Sequence, residues 1–167
     1  SDPSASKLVG AEINTAVGLL ALDAITDGTY NNAFGYSALS ATTTGYRNEA
    51  FGYAAMIGNV TGYANVSIGM ETLFYYDAPI QNTVVGHNAM MGHSSAESTQ
   101  PTGNTAIGTY ANFRPTGNFN TAVGQNAMSG ETTTRSAYNN TAVGRSSLYS
   151  INSGYNNVAL GYEAGYN

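Results

Sequence analysis

The stretch NNTAVGRSSL (139–148) decides the fold, because the chain writes it repeatedly. Near copies stand at 119–128 (FNTAVGQNAM) and 13–22 (INTAVGLLAL). Its five-residue core, Asn–x–small–apolar–Gly, occurs nine times, starting at Asn14, Asn31, Asn48, Asn65, Asn82, Asn104, Asn120, Asn140 and Asn157. Successive asparagines are 17, 17, 17, 17, 22, 16, 20 and 17 residues apart. A shared period of this length marks a repeat architecture, in which each unit is too small to bury a core alone and must stack on its neighbours.

The columns of the repeat carry the next inference. The fourth position is always large and apolar: Val17, Phe34, Phe51, Ile68, Val85, Ile107, Val123, Val143 and Leu160. The third is small, alanine in all copies but those with Ser67 and Val84, and the fifth is always glycine. Three residues beyond that glycine runs a second small column, from Ala21 to Ala164. The position after it is apolar at Leu22, Leu39, Met56, Leu73, Met90, Met128 and Leu148, and fails at Asn112 and Gly165. Recurrent glycine and asparagine, with no sustained 3.6-residue stripe, make helix a poor reading. Short β-branched and aromatic runs between Gly, Asn and Ser turns read as strands. The expected fold is all-β: a parallel β-roll or β-solenoid of about nine coils of ~17 residues, each rising ~4.8 Å, the spacing of neighbouring strands. Residues 1–11 read as an N-terminal lead-in and 12–167 as the repeat domain, with longer loops at 91–103 and 129–139.

Strand alternation puts the third and fourth positions on opposite faces. The large residues are expected to fill the coil as its core, leaving the alanine column outside. An outward apolar stripe calls for cover, and close packing of several rods, as in a homotrimer, supplies it, with a lone solenoid as the competing reading. The nine asparagines are expected to form a structural ladder, amide on amide, or to shape the turn before each strand.

Composition narrows the function. Only 9% of residues are charged, far below the roughly 25% of ordinary globular proteins, yet 42% are hydrophobic, which argues against disorder. The net charge is −5, and the basic residues Lys7, Arg47, Arg114, Arg135 and Arg145 form no cluster, so a nucleic-acid surface lacks its footprint. No apolar run is long enough for a membrane span. There is no cysteine, hence no disulfide framework or thiolate metal site.

The repeats TGYRNEAFGYAAM (44–56), TGNFNTAVGQNAM (116–128) and SGYNNVALGYEAG (153–165) resemble the GNxNTAxGxxAL repeats of bacteriophage tail-fibre and related surface-fibre proteins. They are also similar to the SVAIG-type repeats in the heads of trimeric autotransporter adhesins. The adhesin heads imply a trimer of left-handed parallel β-rolls. The tail fibres imply a rod between virion and host. The resemblance therefore points to an extracellular, cell-surface or virion location and to a structural rod that displays host-attachment surfaces. A self-assembling extracellular filament and a carbohydrate-binding tip are the alternatives.

Residues for chemistry are sparse. His87 and His93, with Glu97 nearby, are the nearest thing to a metal or general-base cluster. His87, however, occupies a column that elsewhere holds Leu19, Tyr36, Gln125 or Arg145, so it reads as a surface residue. The acids are scattered, and neither an enzyme nor a cofactor is expected. Tyrosines are the candidate glycan contacts: Tyr46 and Tyr63 two residues before the Asn, and Tyr36 and Tyr53 just after the Gly, since tyrosine pairs an apolar face with a polar tip. Stacking of these rings on one another is the structural alternative. The two longer loops are the other candidate recognition surface. The recurring threonines Thr15, Thr83, Thr105, Thr121 and Thr141 are interrupted by Asn32, Glu49, Val66 and Val158, which argues against a uniform ice-binding array.

Overall fold

Three residues of each repeat are extended, and each such strand finds its partner one repeat away. The computed structural model describes residues 13–93, 100–114, 117–130 and 136–166. Its strands are β1 (Thr15–Val17), β2 (Asn32–Phe34), β3 (Glu49–Phe51), β4 (Val66–Ile68), β5 (Thr83–Val85), β6 (Thr105–Ile107), β7 (Thr121–Val123), β8 (Ser136–Tyr138), β9 (Thr141–Val143), β10 (Ser153–Tyr155) and β11 (Val158–Leu160). Nine of them form one parallel sheet in the order β1-β2-β3-β4-β5-β6-β7-β9-β11. Equivalent residues lie opposite each other: Ala16 on Ala33, Phe34 on Phe51, Ser67 on Val84. The molecule is thus a parallel β-solenoid of about eight turns, with no helix among the described residues. The irregular gaps do not disturb it. Val84 still pairs with Ala106 across the 22-residue spacing, and Ala122 with Ala142 across the 20-residue one. A second wall is thinner: Tyr46, Tyr63, Ile80 and Thr102 bridge in series, and β8 pairs with β10.

The core is the reverse of the sequence expectation. Ala16, Ala33, Ala50, Ser67, Val84, Ala106, Ala122, Ala142 and Ala159 are buried, and the fourth-position residues point outward. Val17 is 48% exposed, Phe51 38% and Leu160 77%. Ile68 and Ile107 are exposed too, while Phe34, Val85, Val123 and Val143 are half-buried by their neighbours along the column. The reason is the width of the coil. Its interior is already filled by the second small column and by Leu22, Leu39, Met56, Leu73, Met90, Met128 and Leu148, all buried. Along most of the column the space between them and the sheet holds a methyl, and Val84, buried there too, is the one larger apolar exception. At a core packed to crystal-like density, even one extra methylene is felt. Where coil four departs from the rule at both small positions, the departures meet. The Ser67 hydroxyl donates to Thr72 Oγ1 at 2.6 Å inside the coil, and the Thr72 hydroxyl donates in turn to the Gly69 carbonyl at 3.1 Å, so both buried hydroxyls are paired.

Turning so tightly needs backbone that most residues avoid. The residue before each ladder Asn has φ near +60°: Tyr30 at 59°, Arg47 at 55°, Ala64 at 57°, Phe119 at 58°. The buried Leu39 and Met56 stand at 52° and 54°. Such angles are uncommon outside Gly, Asn and Asp. Here they are offset by what they allow: Leu39 buries its side chain, and its N–H donates to the Ala55 carbonyl of the next coil at 3.1 Å. The motif glycine is needed for a second reason. At Gly69 φ is +134°, and a Cβ would lie 2.6 Å from the Gly86 carbonyl oxygen of the next coil.

Candidate functional site: the ladder and the outward sheet face

The asparagine column forms a continuous ladder. Within it, the Asn82 N–H and Nδ2 both donate to Asn65 Oδ1 at 3.0 Å. Asn65 does the same to Asn48, at 3.2 and 2.9 Å. The remaining Nδ2 capacity goes to a turn carbonyl three residues before the next Asn, such as Gly45 for Asn31 (2.8 Å) and Gly62 for Asn48 (2.8 Å). The pattern continues through Asn104, Asn120 and Asn140 to Asn157. From Asn14 to Asn140 the side chains are buried, so the ladder is internal structure, inaccessible to a ligand. Its chemistry follows from the amide: one oxygen takes two donors from one side while the nitrogen spans two acceptors.

The outer surface of the nine-stranded sheet is open to solvent. Two columns of side chains point out there. One is Thr15, Asn32, Glu49, Val66, Thr83, Thr105, Thr121, Thr141 and Val158; the other is the large apolar column. Of these two columns of nine, only Glu49 carries a charge. Asn32 Nδ2 holds it, donating to Oε1 at 3.0 Å and Oε2 at 2.9 Å. Beside that pair, the rings of Phe34 and Phe51 stack with centroids 4.8 Å apart and planes 5° from parallel. Nothing in the repeat pattern announced this face. The available signal was tolerance of size, since a column that is Val, Ile, Leu or Phe in every copy has room that a column of alanine in all copies but two lacks.

The tyrosines form two separate stacks on either side of this sheet. Tyr36 and Tyr53 stack at 5.4 Å and 10°, and Tyr46 and Tyr63 at 4.8 Å and 3°. Each ring covers one face of its neighbour, so the flat faces a sugar would use are partly taken and the four rings share no platform. The Arg47 guanidinium lies 5.9 Å from the Tyr46 ring centre. His87 meets Tyr110 edge-on at 5.7 Å. Among the described residues, no three His, Asp or Glu side chains gather as a metal site, and no helix is long and apolar enough to cross a membrane. Glu97 and parts of both longer loops (94–99 and 131–135) lie outside the described residues. At the last coil, the Tyr162 phenol is pushed above its ordinary value, chiefly by its hydrogen bond to Glu163 and then by that carboxylate's charge, against a smaller opposing pull from Arg145.

The chain matches no protein-family profile, no curated protein sequence and no solved structure.

Proposed function

We propose that this chain is a shaft segment of an extracellular or virion fibre, assembled as a homotrimer along its outward sheet face. Its work is length, stiffness and the display of host-attachment surfaces. The observation that carries the reading is the near absence of charge on that face: two columns of nine residues hold Glu49 alone, in a chain of net charge −5. Charge depletion is the compositional mark of an interface core. Counting the flanking column after the glycine, which adds the single cation Arg145, the face is on the order of 40 Å by 15 Å from strand spacings. That is roughly 600 Å² per copy, or about 1,200 Å² for a pair, where stable interfaces begin.

The apolar column is one residue wide, with threonine hydroxyls beside it, which suits a seam around an axis better than a broad sandwich. Alignment follows from the flanking column. It is apolar in the first four coils (Leu19, Tyr36, Tyr53, Met70) and polar in the next four (His87, Thr109, Gln125, Arg145). Parallel copies place like with like. The fibre setting rests on the likeness of the repeats to those of fibre proteins. Because the tyrosine faces are stacked on one another, a carbohydrate-binding tip has less support.

Analytical ultracentrifugation tests the proposal. The expected species is three times the 17.3 kDa chain, reduced to monomer by Phe51→Asp or Ile68→Asp with the circular dichroism unchanged, since both side chains point outward. A monomeric wild type refutes it, and a continuous ladder of ever larger species favours the filament instead.

A further inference from the structure

We infer that association of copies along this face takes up protons at Glu49; the inference rests on the proposed self-association. Glu49 is central to the argument because everything packed around it is uncharged. Along its own column stand Asn32 on β2 and Val66 on β4. Beside it are Phe34, Phe51 and Ile68. Among these neighbours only Asn32 offers the carboxylate a hydrogen bond, and one amide nitrogen serves both oxygens. The nearest cation in sequence, Arg47, is turned to the Tyr46 ring. In a parallel assembly, rotation about the axis puts the Glu49 side chains of all copies at one height, facing one seam. Each then loses water and gains a like charge, and both changes favour the protonated carboxyl. Protonation removes the repulsion and leaves a hydroxyl that donates across the seam, where Asn32 Oδ1 of another copy can accept it. The sign follows from linkage. The assembled state binds more protons than the separated one, so association strengthens as pH falls into the carboxylate range and weakens as pH rises.

The chain's own pI of about 4.7 would also promote unspecific association near that pH, so the experiment needs two substitutions. Sedimentation equilibrium is run from about pH 7.5 down to about pH 5.5, above the pI, on wild type, Glu49→Gln and Glu71→Gln. Glu71 lies on the turn after the motif glycine, off the sheet face. Where one proton is taken up, the wild type is expected to associate about tenfold more tightly for each unit by which the pH falls. Glu49→Gln is expected to associate tightly at the upper pH and to change less than about twofold. Glu71→Gln should keep the wild-type slope. A pH slope that survives in Glu49→Gln, or is lost in Glu71→Gln, overturns the inference while leaving self-association intact. Failure of every variant to associate at any pH overturns the assembly itself.

Discussion

Replacing Asn65 by alanine tests the ladder at its most connected point. Asn65 Nδ2 donates to Asn48 Oδ1 at 2.9 Å and to the Pro79 carbonyl at 2.7 Å, and Oδ1 accepts two bonds from Asn82 at 3.0 Å each. Truncation removes all of these. The Pro79 carbonyl keeps the Tyr63 N–H at 3.0 Å, and Asn82 Nδ2 keeps the Pro101 carbonyl at 2.8 Å. The Asn82 backbone N–H keeps nothing, and it lies inside the coil. An orphaned buried donor costs roughly 1–3 kcal/mol, and the lost side-chain bonds add about 1 kcal/mol. The expected destabilisation is therefore about 3 kcal/mol. At the exposed end of the ladder, Asn157→Ala removes a single side-chain bond, that to Asn140 Oδ1 at 2.9 Å, and should cost less than about 1 kcal/mol. Urea unfolding followed by far-ultraviolet circular dichroism gives both numbers under one set of conditions. Asn65→Asp sharpens the test, because it puts an acceptor where two acceptors already point. It should be worse than alanine at neutral pH and recover partly when the new carboxyl is protonated. Equal costs for Asn65→Ala and Asn157→Ala would refute the reasoning, because they would mean the ladder's buried bonds carry no more than a surface bond.

Three further outcomes follow from the geometry. Leu39→Ala should lower unfolding stability by about 2–5 kcal/mol as a cavity-forming change, while Val17→Ala, on the outside, should change it by less than about 1 kcal/mol; chemical denaturation of the two side by side checks which column is the core. Gly69→Ala combines a backbone angle closed to side-chain-bearing residues with a clash against Gly86, and about 3 kcal/mol or more is expected from the strain, visible as loss of sheet signal at moderate denaturant. Ultraviolet titration should show a tyrosine ionising above the ordinary range that returns toward it in Glu163→Gln, because Glu163 is the main cause of the Tyr162 shift.

Much of the solenoid was legible because stacking imposes identity. A residue that touches its own copy above and below must suit its own kind, and Asn, Gly and Ala each announce themselves as columns. The period, the parallel pairing and the ladder were all readable from this. The sign of the strand faces was not. Alternation separates Ala33 from Phe34 but does not say which is inside, and the habit of placing the larger residue in the core chooses wrongly when the coil is too narrow. Size was the better guide: the inward column is alanine in every copy but those with Ser67 and Val84, whereas the outward one runs from Val17 through Ile68 and Leu160 to Phe34 and Phe51. The left-handed backbone at Leu22, Leu39 and Met56 was hidden for another reason. Local preference argues against it at a leucine or methionine, and only the packing of neighbouring coils makes it favourable. The outward face followed from neither rule, since its near lack of charge, with Glu49 the exception, is visible only once the two columns are known to lie side by side.

The way the solenoid absorbs irregular spacings has a consequence for how such a body can change length. Five extra residues between Asn82 and Asn104, beyond the usual seventeen, leave β5 and β6 paired in step. Additions within a repeat therefore leave the pairing of neighbouring strands unchanged, whereas duplication of a whole repeat adds one strand spacing to the long axis. The gene for such a chain works as a ruler with two independent scales. Copying a unit sets reach, in increments of ~4.8 Å, and lengthening a turn alters ornament without moving either end.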